Sequence, residues 1–428
     1  MRIRQTRQDR LRFIFLAADP FPPVRPDVAT LFGRELVRRG HQITWVLTSK
    51  DPDETRLDTS WPYGLLHLGG RRRGGSLVTN LFNRWLDFRN DLRLINILGS
   101  GSFDFVQMKD KFLAVIPTIL IARWYKVPFF YWLSFPYPEE AQYLADESHG
   151  PTRHYQLLRY WLFSLILYKI ALPAASHVFV QSTRMKTTLV MHGIPPEKIT
   201  PVPMGVSLVD IPQLIPTQNT TVREPNLPYR LVYLGSLSRL RKLGFLLRAF
   251  TLIQRAEPRT HLIFVGGGSC QEDEHALKEE AHTLGLQGLI TITGQLPRQE
   301  AWAQVQQADV CLSYIPPSPV YDVGSPTKLV EYLALNKAVV ANDHPEQREI
   351  LTQSGAGLCV ASTEQAFAEG VLHLLNHPEE AKRMAESGRP YIAGNRNYPL
   401  IAEMLEQEYF TILQRLNISE PSIPQREI

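Results

Sequence analysis

Short apolar runs alternate with amphipathic helical patterns along nearly the whole chain. In the first half, the run RFIFLAA is followed by the helical pattern VATLFGRELVRRG and then by the run HQITWVLTS, which predicts a strand, a helix and a second strand. Further strands are predicted at FDFVQMK, VPFFYWL and SHVFVQS. Such alternation is typical of parallel sheets covered by helices, so the predicted fold class is α/β with doubly wound sheets.

One segment interrupts this alternation. SLVDIPQLIPTQNTTVREPNLP is rich in proline and has no periodic apolar face, so residues 207–228 are predicted to be a linker. We therefore expect one Rossmann-like domain in residues 1–206 and a second in residues 229–390. The tail, residues 391–428, is predicted to contain a long helix that crosses back to the first domain. Ligands are expected in a cleft between the domains, at the carboxyl ends of the strands.

Composition narrows the class of protein. The 428 residues carry a formal net charge of +4, which is too mild to indicate a nucleic-acid partner. The three cysteines have neither disulfide-framework nor metal-ligand spacing, so we expect a reducing, cytoplasmic compartment. The loop HLIFVGGGS lacks the spacing of a dinucleotide-binding loop, which argues against a dehydrogenase. No stretch reaches the roughly eighteen uncharged apolar residues expected of a membrane span.

The stretch GSPTKLVEYLALNKAVVAND predicts a helix whose start is suited to an anion. Ser325 is predicted at the N-cap and Pro326 in the first turn, where its missing amide costs little. The remaining free amides and the helix dipole favour a phosphate in front of them. Glu331 shares a face with Thr327 and Lys328, one turn further on, where it is placed to bind the hydroxyls of a ribose. The alternative is an ordinary capped helix with Glu331 solvated or paired with Lys328.

A second stretch, YLGSLSRLRKLGFLLRAF, places a strand, a glycine turn at Gly235 and three cations ahead of a helix. The cations are Arg239, Arg241 and Lys242. Because they follow the carboxyl end of a strand, we expect them to face a ligand. Each charge-assisted hydrogen bond to a diphosphate would contribute about 1.5–3 kcal/mol. The alternative is a solvated basic turn.

In their order along the chain, these stretches resemble the retaining glycosyltransferases of family 4, which have the GT-B fold. The likeness spans nearly the whole chain. It rests on HVFVQSTRMKTTLVMHGIPPEKITPVPMGVSL, on the turn with Arg239, Arg241 and Lys242, which we call the cationic turn, and on HLIFVGGGS, ITGQLP, ADVCLSYIP and the GSPTK stretch. It implies an enzyme that transfers a sugar from a nucleotide-sugar donor with retention of configuration. It also implies that no metal and no other cofactor is needed.

The resemblance implies roles for individual residues. Arg241 and Lys242 would grip the donor diphosphate and act as the catalytic pair. The other donor-binding positions that it implies are Gly235, Ser236, Gly294, Leu296, Ser325, Pro326, Thr327, Lys328 and Glu331. Two positions depart from the family pattern: Val323 replaces the first of two glutamates, and Ser236 stands where an arginine is common. The first departure puts contact with the donor sugar in question, and the second leaves only Arg241 and Lys242 to hold the diphosphate.

The first half of the chain is expected to bind the acceptor. The segment DPFPPVRPDVAT carries Arg25 and Asp27 at the start of a helix, where either could contact a hydroxyl or phosphate of the substrate. The alternative for Asp27 is a simple N-terminal cap. Ser134 follows the strand VPFFYWL, where many members of the resembled family have a histidine, so no histidine acid or base is expected there. His192 is predicted to lie in a structural loop.

Two features predict contact with a membrane. The loop GGRRRGG contains Arg71, Arg72 and Arg73, and each cation near an anionic leaflet contributes about 1 kcal/mol. Residues 157–173 form an apolar, aromatic-rich helical pattern with flanking cations. The alternative is a helix buried in the core and arginines that are simply solvated.

These patterns together predict a glycosyltransferase that moves a sugar to a glycan or to a polyprenyl-diphosphate-linked acceptor. We expect it to act in bacterial polysaccharide or glycolipid assembly, in the cytoplasm and peripherally on the inner face of the cell membrane. Two alternatives come from other classes: a catalytically silent protein of the same fold that binds a nucleotide-sugar or scaffolds a partner, and a nucleotide-sugar epimerase. The sequence does not indicate the base of the donor.

Overall fold

The computed structural model of the chain describes residues 10–49, 59–69, 77–212 and 227–419. The chain divides into two compact units: one contains the residues up to Pro203 together with those from Tyr398 onwards, and the other contains Met204–Asn397. Each unit has its own sheet of mainly parallel strands, which confirms the predicted doubly wound α/β fold. The arginines of the GGRRRGG loop and residues 213–226 of the predicted linker lie outside the described residues.

The first unit is built on a sheet with the strand order β3-β4-β2-β1-β5-β6-β7-β8, in which β3 pairs antiparallel with β4 and the other pairs are parallel. The strands are β1 (Arg12–Phe21), β2 (Gln42–Ser49), β3 (Thr59–Trp61), β4 (Gly64–Gly69), β5 (Phe105–Lys109), β6 (Phe129–Leu133), β7 (His177–Val180) and β8 (Ile199–Pro201). Every residue of β5, β6 and β7 is buried. Central parallel strands are covered on both faces, which explains why they appear as continuous apolar runs in the sequence.

The helices of the first unit cover both faces of this sheet. In chain order they are α1 (Leu77–Asp91), α2 (Leu94–Gly99), α3 (Val115–Trp124), α4 (Tyr137–Asp146), α5 (Gly150–Ser164), α6 (Leu172–Ala174) and α7 (Thr183–Met191). Two further helical segments, Asp27–Leu36 and Leu165–Ala171, are wound as π-helices. The helix predicted after β1 is therefore present, but it is wound more loosely than its sequence pattern indicates.

The helical run Gly150–Ala174 differs from its prediction in two ways. By length and composition the whole run is long and apolar enough to cross a membrane, although Arg159 and Lys169 interrupt its apolar stretch. The helix extends upstream to Gly150, beyond the stretch that the sequence pattern marks. The buried-core alternative was wrong for its first part, because no residue of α5 is buried. Only the second part enters the core, with Ile166 and Leu167 among its buried residues.

The second unit is built on a parallel sheet with the strand order β11-β10-β9-β12-β13-β14. Its strands are β9 (Tyr229–Leu234), β10 (Thr260–Val265), β11 (Ile290–Ile292), β12 (Val310–Ser313), β13 (Val339–Asn342) and β14 (Gly357–Val360). Its helices are α8 (Gly244–Ala256), α9 (Gln271–Thr283), α10 (Arg298–Gln306), α11 (Thr327–Ala334), α12 (Pro345–Ser354), α13 (Glu364–Asn376) and α14 (Pro378–Asn395). The strand order reverses at β9, so ligands are expected beyond its carboxyl end.

The last helix, α15 (Tyr398–Ser419), belongs to the first unit. Tyr409 lies within the aromatic core there, with its ring centroid 4.7 Å from that of Phe105 and 5.2 Å from that of Phe179. Its hydroxyl donates a hydrogen bond of 2.6 Å to Oε1 of Gln107 in β5. The helix is therefore anchored to the sheet by both apolar packing and a buried hydrogen bond.

Candidate functional site

Three glycines with positive φ mark the carboxyl ends of neighbouring strands in the second unit. They are Gly235 after β9, Gly266 after β10 and Gly294 after β11, with φ of 146°, 143° and 68°. A Cβ atom on Gly266 would lie 2.0 Å from the carbonyl oxygen of Gly235, so a larger residue does not fit there. Nζ of Lys328 would lie 3.4 Å from a Cβ atom on Gly235. We call Gly235, Gly266, Gly294 and the cations beside them the glycine edge.

Two cations at the glycine edge form no ion pair within the described residues. Nζ of Lys328 lies 3.9 Å from the ring centroid of Tyr233 and donates a hydrogen bond of 3.3 Å to the carbonyl oxygen of Tyr314. The guanidinium carbon of Arg241 lies 4.9 Å from the ring centroid of Tyr321. Burial and the charge of Arg241 lower the pKa of Lys328 well below its ordinary value. A half-buried lysine that lies beside a second cation and has no carboxylate paired with it in the described residues is suited to receive an anion.

The three cations of the cationic turn differ in their position relative to the glycine edge. Arg239–Arg241 forms a single 3-10 turn, and the side chain of Arg239 is 67% exposed and lies 3.8 Å from Asp273. Lys242 follows in the left-handed region with φ of 47° and is exposed, as is Ser236. Of the three predicted cations, the structure therefore brings Arg241 next to Lys328, while Arg239 lies beside a carboxylate. The role of Lys242 stays a prediction.

The cap predicted at the start of α11 is wrong. The helix begins at Thr327, and Pro326 occupies the N-cap position without a capping side chain. The hydroxyl of Ser325 instead donates a hydrogen bond of 2.7 Å to Glu346 and accepts one of 3.0 Å from the amide of Met204. Because both hydrogen bonds lie outside the helix, the hydroxyl does not satisfy the first amides of α11.

Glu331 lies one turn into α11 and is buried. Its Oε1 accepts a hydrogen bond of 3.2 Å from Arg298, so both predicted alternatives, a solvated carboxylate and a pair with Lys328, were wrong. Burial raises the pKa of Glu331, although the charge of Arg298 acts in the opposite direction. Arg298 follows Leu296 closely in the chain, and its guanidinium carbon lies 4.5 Å from the ring centroid of Trp302. The start of α10 and the first turns of α11 are thereby joined through one ion pair.

The first unit gathers charged side chains at and just after the carboxyl ends of β1 and β5. Nζ of Lys109 lies 2.6 Å from Asp19, 3.6 Å from Asp27 and 3.9 Å from Asp110. The guanidinium of Arg25 lies 3.2 Å from Asp27 and 3.9 Å from Asp19. The Arg25 side chain is 37% exposed, whereas the other four are almost fully buried. We call these five residues, Asp19, Arg25, Asp27, Lys109 and Asp110, the carboxylate cluster. Arg25 is the member that solvent or a ligand reaches most easily.

The carboxylates of this cluster differ in their proton affinity. Burial raises the pKa of Asp110, and the nearby charges of Lys109 and Arg25 only partly offset this. For Asp27, the same two cations outweigh burial, so its pKa is lowered. The pKa of Arg25 is raised, because three carboxylates outweigh the effect of its burial. Neighbouring carboxylates whose pKa values are pushed in opposite directions are a feature of acid–base and binding sites.

Ser134 joins the cluster through Asp110. Its amide donates a hydrogen bond of 2.9 Å to Oδ1 of Asp110, and its hydroxyl donates to the other oxygen. Asp110 has a left-handed backbone with φ of 55°, a conformation that costs about 1–3 kcal/mol for a residue other than glycine and is concentrated at functional sites. Asp19, Lys109 and Asp110 were not among the site residues predicted from the sequence. The signal for the last two was the polar pair that directly follows the buried run FVQM.

Two other predictions concern positions beside these clusters. The N-cap alternative for Asp27 is wrong, because Pro26 occupies the cap position and Asp27 is the first helical residue. His192 follows the last turn of α7, and its ring stacks on that of Tyr168 with 3.8 Å between the centroids. This packing agrees with the predicted structural role of His192.

A group of residues with metal-ligand spacing lies elsewhere in the second unit. His373, His377 and Glu380 have potential ligand atoms within 4.8 Å of one another. Nε2 of His373 already lies 2.9 Å from Glu380. None of these residues belongs to the glycine edge. The predicted absence of a metal at the functional site stays a prediction.

Two family models match consecutive parts of the chain. Residues 28–209 match the model described as Glycosyltransferase Family 4, and residues 217–390 match the one described as Glycosyl transferases group 1. The first match includes Lys109 and Asp110 of the carboxylate cluster, and the second includes the glycine edge. No curated protein sequence matches the chain significantly.

Several solved structures are similar over nearly their whole length. Trehalose 6-phosphate synthase from Burkholderia multivorans has a TM-score of 0.69 and 14% identity, covering 98% of this chain and 100% of that one. Sucrose-phosphate synthase from Thermosynechococcus elongatus has a TM-score of 0.68 and 15% identity, with coverage of 96% and 100%. Anabaena HepE has a TM-score of 0.65 and 14% identity, with coverage of 94% and 100%. At these identities the similarity shows a shared fold.

Proposed function

We propose that this chain, which is a glycosyltransferase with the GT-B fold, binds a nucleoside-diphosphate sugar at the glycine edge and transfers the sugar with retention of configuration. The observation that carries this proposal is Lys328, which is half-buried, lies beside Arg241 and forms no ion pair within the described residues. Structures of Anabaena HepE contain UDP, glucose or UDP-glucose, which supports a donor of this class.

Lys328 and Arg241 would stabilise the diphosphate as the bond to the sugar breaks. Negative charge grows on the departing phosphate oxygen, and two fixed cations in a partly dehydrated site stabilise that charge more than they stabilise the bound donor. The amides of Thr327 and its neighbours at the start of α11 would add further donors. The protein's contribution is then positioning and electrostatics, which does not require a strong general base.

The remaining donor contacts follow from the same edge. Glu331 would bind the ribose hydroxyls, with its carboxylate oriented by Arg298. The backbone from Gly294 to Leu296 would lie beside the base, because it follows β11 next to the glycine edge. This arrangement needs no carboxylate at Val323, the position where the family pattern has one.

The carboxylate cluster is proposed to bind the acceptor. Arg25 offers an accessible cation, and Asp110 offers a buried carboxylate whose partner, Ser134, stands where many members of the family have a histidine. We propose a glycan or lipid-linked acceptor and an enzyme that acts peripherally at the cytoplasmic face of the cell membrane. Cell fractionation tests the location, and the anomeric coupling constant of the product, measured by NMR, tests retention.

Replacing Lys328 tests the donor site directly. We expect Lys328→Met to weaken the binding of UDP and UDP-glucose by about tenfold or more, because it removes one charge-assisted contact to the diphosphate. Binding is measured by calorimetry and by thermal shift against UDP, GDP and ADP. For the wild-type protein, a ligand at about a hundred times its dissociation constant raises the free energy of unfolding by about 2.7 kcal/mol.

Lys337→Met is the matched control. Lys337 is also a lysine of the second unit with a pKa lowered by burial. It differs in position, because it donates to the carbonyl oxygen of Ala308, which precedes β12, whereas the glycine edge lies at the carboxyl ends of the strands. Its replacement should leave UDP binding unchanged. Equal binding by Lys328→Met and the wild-type protein would contradict the proposed donor site. A silent protein would bind UDP-glucose without transfer, and an epimerase would change the sugar while it remains attached to the nucleotide.

A further inference from the structure

The first unit contains a pocket of about 440 Å³ between α1, the segment that follows β5, and α5. Its volume lies within the range of about 300–1,000 Å³ that is usual for ligand pockets. Side chains that line it include Phe88 of α1, Phe112 and Leu113 after β5, and Leu158 and Phe163 of α5. No role in sugar transfer has so far been given to this pocket.

Two of the cations that line the pocket, Lys111 and Arg159, form ion pairs. Lys111 pairs with Asp91, and both residues line the pocket. Arg159 pairs with Glu140 at 2.9 Å, and its guanidinium carbon lies 5.1 Å from the ring centroid of Phe163. Because these charges are already compensated, they offer little to a polar ligand. The aromatic rings beside them offer an apolar surface instead.

The mouth of the pocket is apolar as well. Leu113 is 57% exposed, Leu158 is 67% exposed and Leu162 is 47% exposed, and all three line the pocket. Contiguous exposed apolar side chains are uncommon on soluble proteins and mark sites of binding. Two residues of the pocket wall pack against each other, since the rings of Phe112 and Phe163 stack with 4.4 Å between their centroids.

The pocket is also continuous with the carboxylate cluster. Asp110 lines the pocket and accepts hydrogen bonds from Ser134, so one residue belongs to both sites. A ligand that fits both must have a polar head and an apolar tail. We infer that this pocket binds the hydrocarbon chain of a lipid-linked acceptor, whose polar head lies at the carboxylate cluster. This inference rests on the proposed function and names the class of acceptor that the site selects.

The test measures binding of farnesyl phosphate, with isopentenyl phosphate as the ligand that lacks a long chain. Calorimetry is performed on the full chain at concentrations at which neither compound forms micelles. We expect the wild-type protein to bind farnesyl phosphate about tenfold or more tightly than isopentenyl phosphate, because the longer chain buries more apolar surface. The double variant Leu158→Glu/Leu162→Glu should remove this preference, since it places two charges at the mouth of the pocket.

The matched control is Trp161→Glu/Leu165→Glu. Trp161 is 70% exposed and Leu165 is 54% exposed on the same helical run, but neither lines the pocket. This variant should keep the preference for farnesyl phosphate. An equal loss in both variants would overturn the inference in favour of general adsorption to an apolar helix face. An unchanged preference in the Leu158/Leu162 variant would overturn it as well.

A second measurement does not depend on any variant. A farnesyl phosphate analogue with a photoreactive diazirine should label the segment from Phe112 to Ala114 and the pocket face of α5 in the wild-type protein, and labelling confined to other surfaces would contradict the inference. UDP binding is measured on the same samples. If the wild-type protein fails to bind UDP, the proposed function fails. If it binds UDP but shows no preference for the longer chain, only this inference fails.

Discussion

Lys328 is a residue whose protonation state should change when a ligand binds. Burial and the charge of Arg241 both disfavour its protonated form, so its pKa is lowered well below the ordinary value in the free protein. A diphosphate next to Nζ would reverse this effect, because it supplies the missing negative charge. The residue would therefore be protonated more fully in the complex than in the free enzyme.

This difference predicts proton uptake when UDP binds. At a pH between the lowered pKa of the free protein and the higher pKa of the complex, binding should take up as much as about one proton. Affinity for UDP should then weaken as the pH rises through this interval. Calorimetry at a series of pH values, each in two buffers with different ionisation enthalpies, measures the uptake. The heat of binding should depend on the buffer for the wild-type protein and not for Lys328→Met. A heat independent of the buffer in the wild-type protein would contradict the prediction.

Which residues belong to the candidate site was predictable from the sequence where a local pattern marks them. The cationic turn and the GSPTK stretch stand out because their polar residues interrupt apolar runs at the ends of strands. Their partners were not predictable. Arg298 pairs with Glu331 across 33 positions of the sequence, and Ser325 bonds to Met204 across 121. Such pairs depend on how helices pack together, and no local pattern carries that information.

The glycine edge is a property of three strands rather than of any one residue. The amide of Gly235 donates a hydrogen bond of 2.9 Å to the carbonyl oxygen of Val265, and Gly266 pairs with Gly294 as an isolated antiparallel bridge. The backbones approach so closely because side chains are absent at these positions. The run GGGS after β10 was visible in the sequence, but the reason for its first glycine was visible only in the structure.

Gly266→Ala should therefore destabilise the second unit. The new Cβ atom would lie 2.0 Å from the carbonyl oxygen of Gly235, and φ of 143° is strained for alanine. We expect a loss of more than about 2 kcal/mol in the free energy of unfolding, measured by urea titration. Gly285→Ala is the control, since φ is 71° there and nothing lies within 4 Å of the new atom. It should cost only about 1–2 kcal/mol for the backbone conformation. Equal losses would show that the contact with Gly235 contributes nothing.

At the scale of the whole molecule, the chain returns to its first unit at the end. The helix α15 carries Tyr409 into the aromatic core between β1, β5 and β7, with rings of Phe13, Phe105 and Phe179 around it. The first unit is therefore completed only when the last helix has been synthesised. Its stability should depend on residues that are more than 200 positions away from its strands in sequence, such as Tyr409 from Gln107.

Tyr409→Ala should lower the free energy of unfolding of the first unit by about 3 kcal/mol or more, because it removes a buried ring and leaves a cavity. Met404→Ala on the same helix is the control, since Met404 is 41% exposed. Urea unfolding followed by circular dichroism measures the loss, and UDP binding reports separately on the second unit. UDP binding should persist in both variants. A loss of stability equal to that of Met404→Ala would contradict the packing of Tyr409.

The sequence by itself determined the alternation of strands and helices, the doubly wound fold and the two stretches that supply Arg241 and Lys328 to the glycine edge. These depend on which side chains are buried along a short segment, and burial leaves a periodic pattern in the sequence. Only the tertiary structure decided that Lys328 meets Arg241, that Arg298 pairs with Glu331, and that Asp110 joins a buried cluster to an apolar pocket. Each of these contacts joins segments that are distant in sequence, so it exists only after the packing of strands and helices has brought them together.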